Sequence, residues 1–324
     1  MGACFTKARR RSPSSPWPDL PPEVAGLILC RLPSYADRLS FRAVCHQWRI
    51  AAQQQRPVLP PALPWLHQRM DTYQSLADGK VHRFAVPRAP CNSSGRDAFD
   101  GMLRNFGSWV LYEHNHDDDK SYRRRCLLRN PFSGATVHIP RGELFLHHQD
   151  LARQVEHVIK TPPPETKFSE LPEDCRSFTQ HLIVSSSGKL LMVRWGIDPP
   201  NYRVKKTAID HGIRLDVFEA DFEKNQWSEV KDLGDQVLFI GRTGSRSICS
   251  SHHDEIFRGN RVFILGLEWN RTAYHAHGSS MYNIKHVTPS YLVYDVKSGT
   301  VTAVSLGGAP PCYQSVSEWL FPCD

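Results

Sequence analysis

The sequence predicts a small all-α segment at the N terminus followed by a large all-β domain, which we expect to be a β-propeller of five or six blades. Three observations favour this fold class. Between residues 17 and 52, apolar residues recur with helical spacing. After residue 66 the chain changes to short apolar runs separated by Gly, Asn, Asp and Pro, as in strands joined by tight turns. Within that second part, a strand-and-hairpin unit occurs three times.

The composition is that of a folded globular chain. Of 324 residues, 40% are hydrophobic and 23% are charged, which argues against a mainly disordered protein. No apolar run approaches the roughly 18 residues of a membrane-spanning helix, and residues 1–11 lack the apolar core of a secretory signal. The nine cysteines are odd in number and form no C-x-x-C pair, so we expect free thiols in the cytosol or nucleus.

The net charge of +7 is concentrated at the N terminus. Residues 1–60 contain nine bases and three acids, so the rest of the chain carries only +1. A nucleic-acid-binding domain normally has a broad basic face, and we therefore expect no nucleic-acid partner. The basic run 123–125 follows the acidic run 117–119, which is typical of a solvated loop.

Residues 17–52 contain the helical signals. The first helix opens at Leu20-Pro21-Pro22-Glu23, since proline is tolerated in a first turn, and Pro33 ends it. Ser34 or Asp37 can cap the next helix. Helices this short cannot bury all their apolar surface alone, so they dock on the rest of the chain or on a partner. Their two apolar stripes are Val24, Leu27, Ile28 and Leu32, and then Phe41, Val44, Cys45 and Trp48.

A Pro- and Gln-rich connector is predicted at residues 53–69, and the β domain at 70–324. The repeated unit begins at Gly107, Gly188 and Gly259, which are 81 and 71 residues apart. Those intervals are about twice the length of a propeller blade, and they leave room for a fainter blade in each. An irregular β-sandwich remains the alternative. The one helical candidate in this part spans residues 142–160.

We expect the end of the chain to close the β domain. Residues 317–321 are predicted to pair near the domain's start, because closure of a propeller removes exposed strand edges. Residues 70–324 are therefore expected to close into one propeller.

The sequence contains no catalytic constellation. It lacks a G-x-S-x-G elbow and an H-E-x-x-H motif, and a P-loop fails at Gly188-Lys189 because Ile183 and Leu190 occupy required positions. The histidine pairs, such as His114 and His116, have no second pair at a spacing typical of zinc sites. We therefore expect no enzyme, no metal and no cofactor.

The helical segment resembles the F-box. Arg38 stands where many members have an apolar residue, and one extra residue lies between Pro33 and Asp37; both features resemble a plant subgroup. The residues that carry the resemblance are Leu20-Pro21-x-Glu23, Ile28-Leu29-x-Arg31-Leu32-Pro33, Asp37 and Phe41-Arg42-x-Val44-Cys45-x-x-Trp48-Arg49.

The F-box resemblance implies binding to a Skp-type linker protein, and through it to a cullin of a RING-type ubiquitin ligase. Phe41 and Trp48 can equally belong to the internal core of the helices. The residues expected to bind the linker are Leu20, Pro21, Ile28, Leu32, Val44 and Trp48.

The β domain resembles the plant F-box-associated domain of unknown function, which is kelch-like. The two resemblances together imply a substrate-recognition adaptor of an SCF-type ubiquitin ligase, whose β domain binds a protein substrate. Loops 113–125, 141–180 and 196–213 are the candidates for that contact. The alternative is a non-ligase propeller that binds a protein or ligand and has a vestigial F-box. The residues that carry the second resemblance are Leu128–Gly134, Val230–Phe239, Gly259-Asn260, Tyr294-Asp295 and Trp319–Pro322.

The basic leader, residues 1–16, is predicted to be disordered and matches a lipidation signal. MGACFT fits M-G-x-x-x-[ST], which makes Gly2 a candidate for N-myristoylation. One myristoyl chain binds membranes only marginally, but palmitoylation of Cys4 and the bases within residues 7–11 would supply second signals. The alternatives are an unstructured leader or a nuclear-localisation run. Cytoplasm or nucleus is the main expected location.

A fluorescent fusion of the full chain tests the lipid anchor. If the anchor exists, the wild type should concentrate at membranes and incorporate a myristate label, and Gly2→Ala should be diffuse and unlabelled. Cys4→Ser should keep the label but lose stable membrane binding, because a single acyl chain dissociates readily. A wild type that is as diffuse as Gly2→Ala, and takes up no label, would show that the anchor does not exist.

Overall fold

The computed structural model describes eleven stretches of the chain. The predicted leader (residues 1–16, with Gly2 and Cys4) and the helical candidate at 142–160 lie outside them. The described residues are 20–55, 59–69, 72–84, 104–115, 124–139, 178–197, 213–241, 244–250, 257–265, 291–304 and 318–322.

Three helices open the fold: α1 (Pro22–Cys30), α2 (Tyr35–Val44) and α3 (His46–Gln55). Ser34 caps α2 as predicted, because its hydroxyl accepts a hydrogen bond from the Asp37 N–H at 3.5 Å. The second predicted helix is in fact two, since Cys45 has an extended backbone between them. The Sγ atom of Cys45 then accepts from the Trp48 N–H, so the thiol caps α3. The helix α3 ends at Gln55, three residues past the predicted domain end.

Small residues let the three helices pack closely. Gly26 of α1 lies against Gln55 of α3, where an added Cβ would come within 2.8 Å of the Gln55 side chain. The face of α1 that turns inward is therefore the one with Ala25 and Leu29, and the predicted stripe of α1 is split between the core and the surface. The buried core of this three-helix domain consists of Ala25, Leu29, Phe41, Ala51 and Ala52.

The strands of the described residues form four sheets, which we number as blades. Blade 1 has the order β17-β1-β2-β3, with β1 Trp65–Arg69, β2 Thr72–Ser75, β3 Val81–Arg83 and β17 Glu318–Leu320. Blade 2 has the order β4-β5-β6-β7, with β4 Arg104–Phe106, β5 Trp109–Asn115, β6 Arg124–Arg129 and β7 Thr136–Ile139.

Blades 3 and 4 contain the second half of the strands. Blade 3 has the order β11-β10-β9-β8, with β8 Thr179–Val184, β9 Leu190–Ile197, β10 Ile213–Asp221 and β11 Gln226–Glu229. Blade 4 has the order β13-β12-β14-β15-β16, with β12 Gln236–Ile240, β13 Ser245–Cys249, β14 Arg261–Ile264, β15 Tyr291–Asp295 and β16 Val301–Val304.

The described residues thus form four blades, where the sequence predicted five or six. The interval from Gly188 to Gly259 was expected to leave room for a further blade. Its strands β12 and β13 instead join blade 4, because β12 pairs in parallel with β14 from Val237↔Arg261 to Ile240↔Ile264. Since β12 is buried on both faces, its backbone N–H and C=O groups need a paired strand at each edge, and β13 and β14 supply them. In the interval from Gly107 to Gly188, residues 140–177 lie outside the described residues.

Alternating side chains build the cores between blades. Val237 and Phe239 of β12 face blade 1, whereas their neighbours Leu238 and Ile240 face blade 3. The core between blades 3 and 4 includes Leu191, Val193, Leu215, Val217, Leu238, Ile240, Val262 and Leu292. The core between blades 4 and 1 includes Leu66, Phe239, Phe263, Trp319 and Phe321.

The C-terminal strand closes the propeller, which confirms the predicted pairing of residues 317–321 near the domain's start. Strand β17 pairs antiparallel with β1, in the register Trp65↔Leu320 to His67↔Glu318. The Trp319 indole N–H donates to the carbonyl oxygen of Ile240 at 3.0 Å. Because β1 lies in the predicted connector, the β domain begins at Trp65, and a chain starting at residue 70 would lack the partner of its closing strand.

Two motif residues fasten the link between blades 3 and 4. The Asn260 side chain accepts from the Leu233 N–H at 2.6 Å and donates to the Gly234 carbonyl oxygen at 3.2 Å. The Gly259 backbone lies so close that an added Cβ would be 2.0 Å from the Gly234 oxygen. Residues 230–235 and 259–260, which carried part of the family resemblance, therefore have a structural role.

Gly259→Ala should destabilise the full chain by about 3 kcal/mol, because the methyl group can be accommodated only by moving the backbone of the link. The matched control is Gly299→Ala, where φ is +68° and the nearest atom to an added Cβ lies 3.8 Å away. That control should cost only about 1–2 kcal/mol of left-handed strain. The urea unfolding midpoints of the two variants measure this difference. A midpoint for Gly259→Ala that is no lower than that of Gly299→Ala would contradict the close approach of Gly259 to Gly234.

Candidate functional site

Helix α1 presents an apolar surface to solvent. Val24 is 41% exposed and Leu27 is 60% exposed, and their spacing of three residues places them on one face of the helix. Val44, at the end of α2, is 55% exposed. Exposed apolar residues scattered singly are ordinary, but two neighbours on one face of a nine-residue helix offer a contact surface.

The residues predicted to bind the linker divide into two groups. Pro21 and Val44 are exposed. The other four are half-buried and pack on the core of their own three-helix domain, and Trp48 lies 4.5 Å from Phe41 between ring centroids. These four are Leu20, Ile28, Leu32 and Trp48.

Val24 and Leu27 are exposed positions of α1 that the selection from sequence omitted. Helical periodicity placed them on the same stripe as Ile28, and it could not show which edge of the stripe faces the core. The sequence feature that indicates the buried face is the pair Ala51-Ala52 in α3, since small residues occur where helices approach closely.

A different side of the three-helix domain docks on the propeller. Tyr35, at the start of α2, is only 5% exposed and meets the Phe132 ring edge-on at 4.8 Å. Nearby, the Leu63 N–H donates to the Pro33 carbonyl oxygen at 3.2 Å. The buried residues of this junction cluster are Tyr35, Ala62, Trp65, Tyr73, Val110 and Leu320.

A motif turn places Phe132 at this junction. Asn130 lies in the β6–β7 turn, and its side-chain oxygen accepts from the N–H groups of Phe132 and Ser133 at 2.9 and 3.1 Å. Its amide nitrogen donates to the Ser108 hydroxyl in the β4–β5 turn. The segment Leu128–Gly134, which carried part of the family resemblance, therefore presents Phe132 to the helices.

Charged residues of α2 interact both with their own domain and with the propeller. Arg38 is fully buried, and its Nε atom donates to the Leu32 carbonyl oxygen at 2.8 Å, which accounts for an arginine where an apolar residue is common. A hydrogen bond from Lys80 to Asp78 raises the pKa of the Lys80 ammonium, and the charges of Asp78 and Asp37 raise it further. The β2–β3 turn thus lies close enough to α2 for their charges to interact.

The opposite end of blade 2 gives rise to two of the loops predicted to contact a substrate. Both tight turns of this blade, β4–β5 and β6–β7, lie at the end that meets Tyr35. Because the strands are antiparallel, the β5–β6 and β7–β8 connections leave from the other end. Residues 116–123 and 140–177 of those connections lie outside the described residues, as do 198–212 of the third loop.

One serine–histidine contact lacks catalytic geometry. Ser245 Oγ lies 3.5 Å from His181 Nδ1, and the Trp195 indole N–H donates to His181 Nε2 at 3.2 Å. A neutral ring that accepts at Nε2 has its proton on Nδ1, so it donates toward Ser245 and cannot take the hydroxyl proton. The contact therefore ties blade 3 to blade 4 and does not activate a nucleophile.

The described part of the chain has neither a metal-binding cluster nor a membrane-spanning helix. No group of three or more His, Cys, Asp or Glu residues is placed there to hold a metal ion. None of the described helices has the length and apolar character needed to cross a bilayer.

Comparison with known families agrees with the two-part architecture. The F-box-like family matches residues 17–56, and the KIB1-4 beta-propeller family matches residues 141–295. Comparison with curated proteins and with solved structures gives no match. The chain has an F-box-like domain at its N terminus and a KIB1-4 beta-propeller domain in its C-terminal part.

Proposed function

We propose that this F-box protein with a β-propeller is the substrate-recognition adaptor of an SCF-type ubiquitin ligase. The observation that supports this most directly is the exposed pair Val24 and Leu27 on α1 of the F-box-like domain. F-box domains in general bind Skp1-type proteins, and through them a cullin. An adaptor performs no chemistry, and the architecture is typical of non-catalytic adaptors.

The exposed apolar pair suits a protein–protein contact in energy as well as in position. Burying a Val or Leu side chain fully contributes roughly 1.5–3 kcal/mol. The F-box docks on the propeller through Tyr35 of α2, so this contact leaves Val24 and Leu27 exposed. A linker bound at α1 would therefore leave the propeller in place.

The propeller is proposed to hold the substrate. An adaptor that binds both substrate and linker raises the effective concentration of the substrate beside the ligase, and this accounts for its function without a catalytic group. We place the substrate contact at the end of blade 2 opposite the F-box, because the β5–β6 and β7–β8 connections leave there. Kelch-like character, location in the cytoplasm or nucleus, and contact of the leader with a membrane remain predictions.

Leu27→Asp should weaken binding of a Skp-type linker by at least about 30-fold, since loss of an interface anchor commonly costs 2 kcal/mol or more. Its melting temperature should stay within a degree or so of the wild type, because Leu27 is 60% exposed. Affinity capture with the purified linker, together with thermal unfolding of the full chain, measures both quantities.

Two matched variants complete this test. Val184→Asp changes a 65% exposed apolar residue of blade 3 and should alter neither quantity. Ile28→Asp places a charge against the F-box core, so it should lower both linker binding and the melting temperature. If Leu27→Asp captures the linker as well as Val184→Asp does, α1 is not the linker surface.

Co-purification of the full chain tests the ligase role itself. We expect the linker and a cullin to be recovered with the wild type, and much less of both with Leu27→Asp. Proximity labelling in cells with the ligase inhibited would then enrich substrates. A propeller that recovers partners but neither linker nor cullin would indicate a non-ligase binding module with a vestigial F-box.

A further inference from the structure

The contact between the F-box and the propeller includes the strand that closes the propeller. Tyr35 of α2 belongs to the same buried cluster as Leu320 of β17 and Trp65 of β1, which are cross-strand partners. Phe132 packs on both Tyr35 and Trp65, with ring centroids 4.8 and 5.1 Å apart. An F-box residue therefore lies over the closing pair.

The closing strand is short and gains stability from its neighbours. Strand β17 has three residues, so its ladder with β1 contributes only a few hydrogen bonds. One flank is fixed to blade 4, where the Trp319 indole N–H donates to Ile240. The other flank is fixed to blade 2, where the Phe321 N–H donates to the Gly107 carbonyl oxygen at 2.9 Å. Tyr35 belongs to the buried cluster that contains Leu320 of the same strand.

We propose that the F-box locks the closure of the propeller, so that a protein bound to the F-box stabilises the closing strand. Strand β17 cannot leave β1 without exposing Leu320, Trp65 and the Tyr35 ring, all of which are buried. In turn, α2 cannot leave the propeller without opening that cluster. Opening of the closure and undocking of the F-box are therefore one event.

The core of the F-box connects a protein bound at α1 to the docked helix α2. Helix α1 packs on α3 through Gly26 and Gln55, and Phe41 joins α2 to the same core. A protein that binds the three-helix domain more tightly in the docked than in the undocked state would suppress the joint opening by mass action. This second part of the inference rests on the proposed function, whereas the lock itself does not.

Hydrogen exchange of the full chain, without any partner, tests the lock. In Tyr35→Ala we expect amides of β1 and β17 to exchange at least tenfold faster than in the wild type, while amides of β9 and β10 in blade 3 keep their rates. Tyr35→Phe keeps the ring contact with Phe132 and separates the effect of the ring from that of the hydroxyl. Phe132→Ala weakens the same contact from the propeller side, and it serves if Tyr35→Ala yields no folded protein. Phe222→Ala, at a 58% exposed position of blade 3, is the control.

Either of two results would overturn the lock. One is β17 exchange in Tyr35→Ala and Phe132→Ala that is as slow as in the wild type. The other is an even increase over all four blades, because the contact would then only add to global stability.

Adding a Skp-type linker tests the coupling. At a linker concentration of 100 times its Kd, exchange of β1 and β17 amides should slow by up to about 100-fold in the wild type. In Tyr35→Ala the linker should still protect α1 but leave β17 unchanged. Protection in the wild type that stops at α3 would overturn the coupling. If the linker protects α1 in no chain, the linker-binding proposal is refuted. The lock is then still tested by the exchange experiment without a partner.

Discussion

The antiparallel pairing of β17 with β1 is the contact on which the rest of this structure depends. It joins residues 318–320 to residues 65–67, and it brings the end of the chain back to the first sheet. Without it, blade 1 would have an open edge at β1 and blade 4 would lose Trp319 from the core that it shares with blade 1. The strand is short, and it is held to both adjacent blades by Trp319 within it and by Phe321 after it.

The same closure explains why the two domains meet where they do. The segment between α3 and β1 has buried residues, among them Ala62 and Leu63, so it is part of the packed structure between the domains. Tyr35 of the F-box and Leu320 of the closing strand belong to the same buried cluster. Phe132 of blade 2 packs against that cluster through its ring contact with Tyr35. The KIB1-4 beta-propeller match covers residues 141–295, which contain blade 3 and all strands of blade 4 except β16. The closing contacts extend the propeller to blades 1 and 2.

Residues that carried the family resemblance turn out to shape the backbone. Asn130 builds the turn that presents Phe132, and Asn260 with Gly259 holds the link between blades 3 and 4. Such positions accept few residue types, because they need a compact amide or no side chain at all. Under the proposed function, substrate specificity would depend instead on the connecting loops, because loops accept more residue types than such turns do.

The sequence by itself determined the order of the parts and the nature of each element. Helical spacing indicated a helical N-terminal segment, and its motif residues resembled the F-box. Tight turns separated the strands, and the need to close the edges of a propeller predicted a closing strand at residues 317–321. Tertiary structure decided the rest. The four blades depend on a parallel pair, β12 with β14, whose partners are 24 residues apart along the chain, and local periodicity cannot reveal such a pair. The outward position of Leu27 depended on which face of α1 meets Ala51 and Ala52, and the docking of Tyr35 depended on a turn almost a hundred residues away. Contacts of this kind follow from the packing of whole elements, and one strand or helix does not encode them alone.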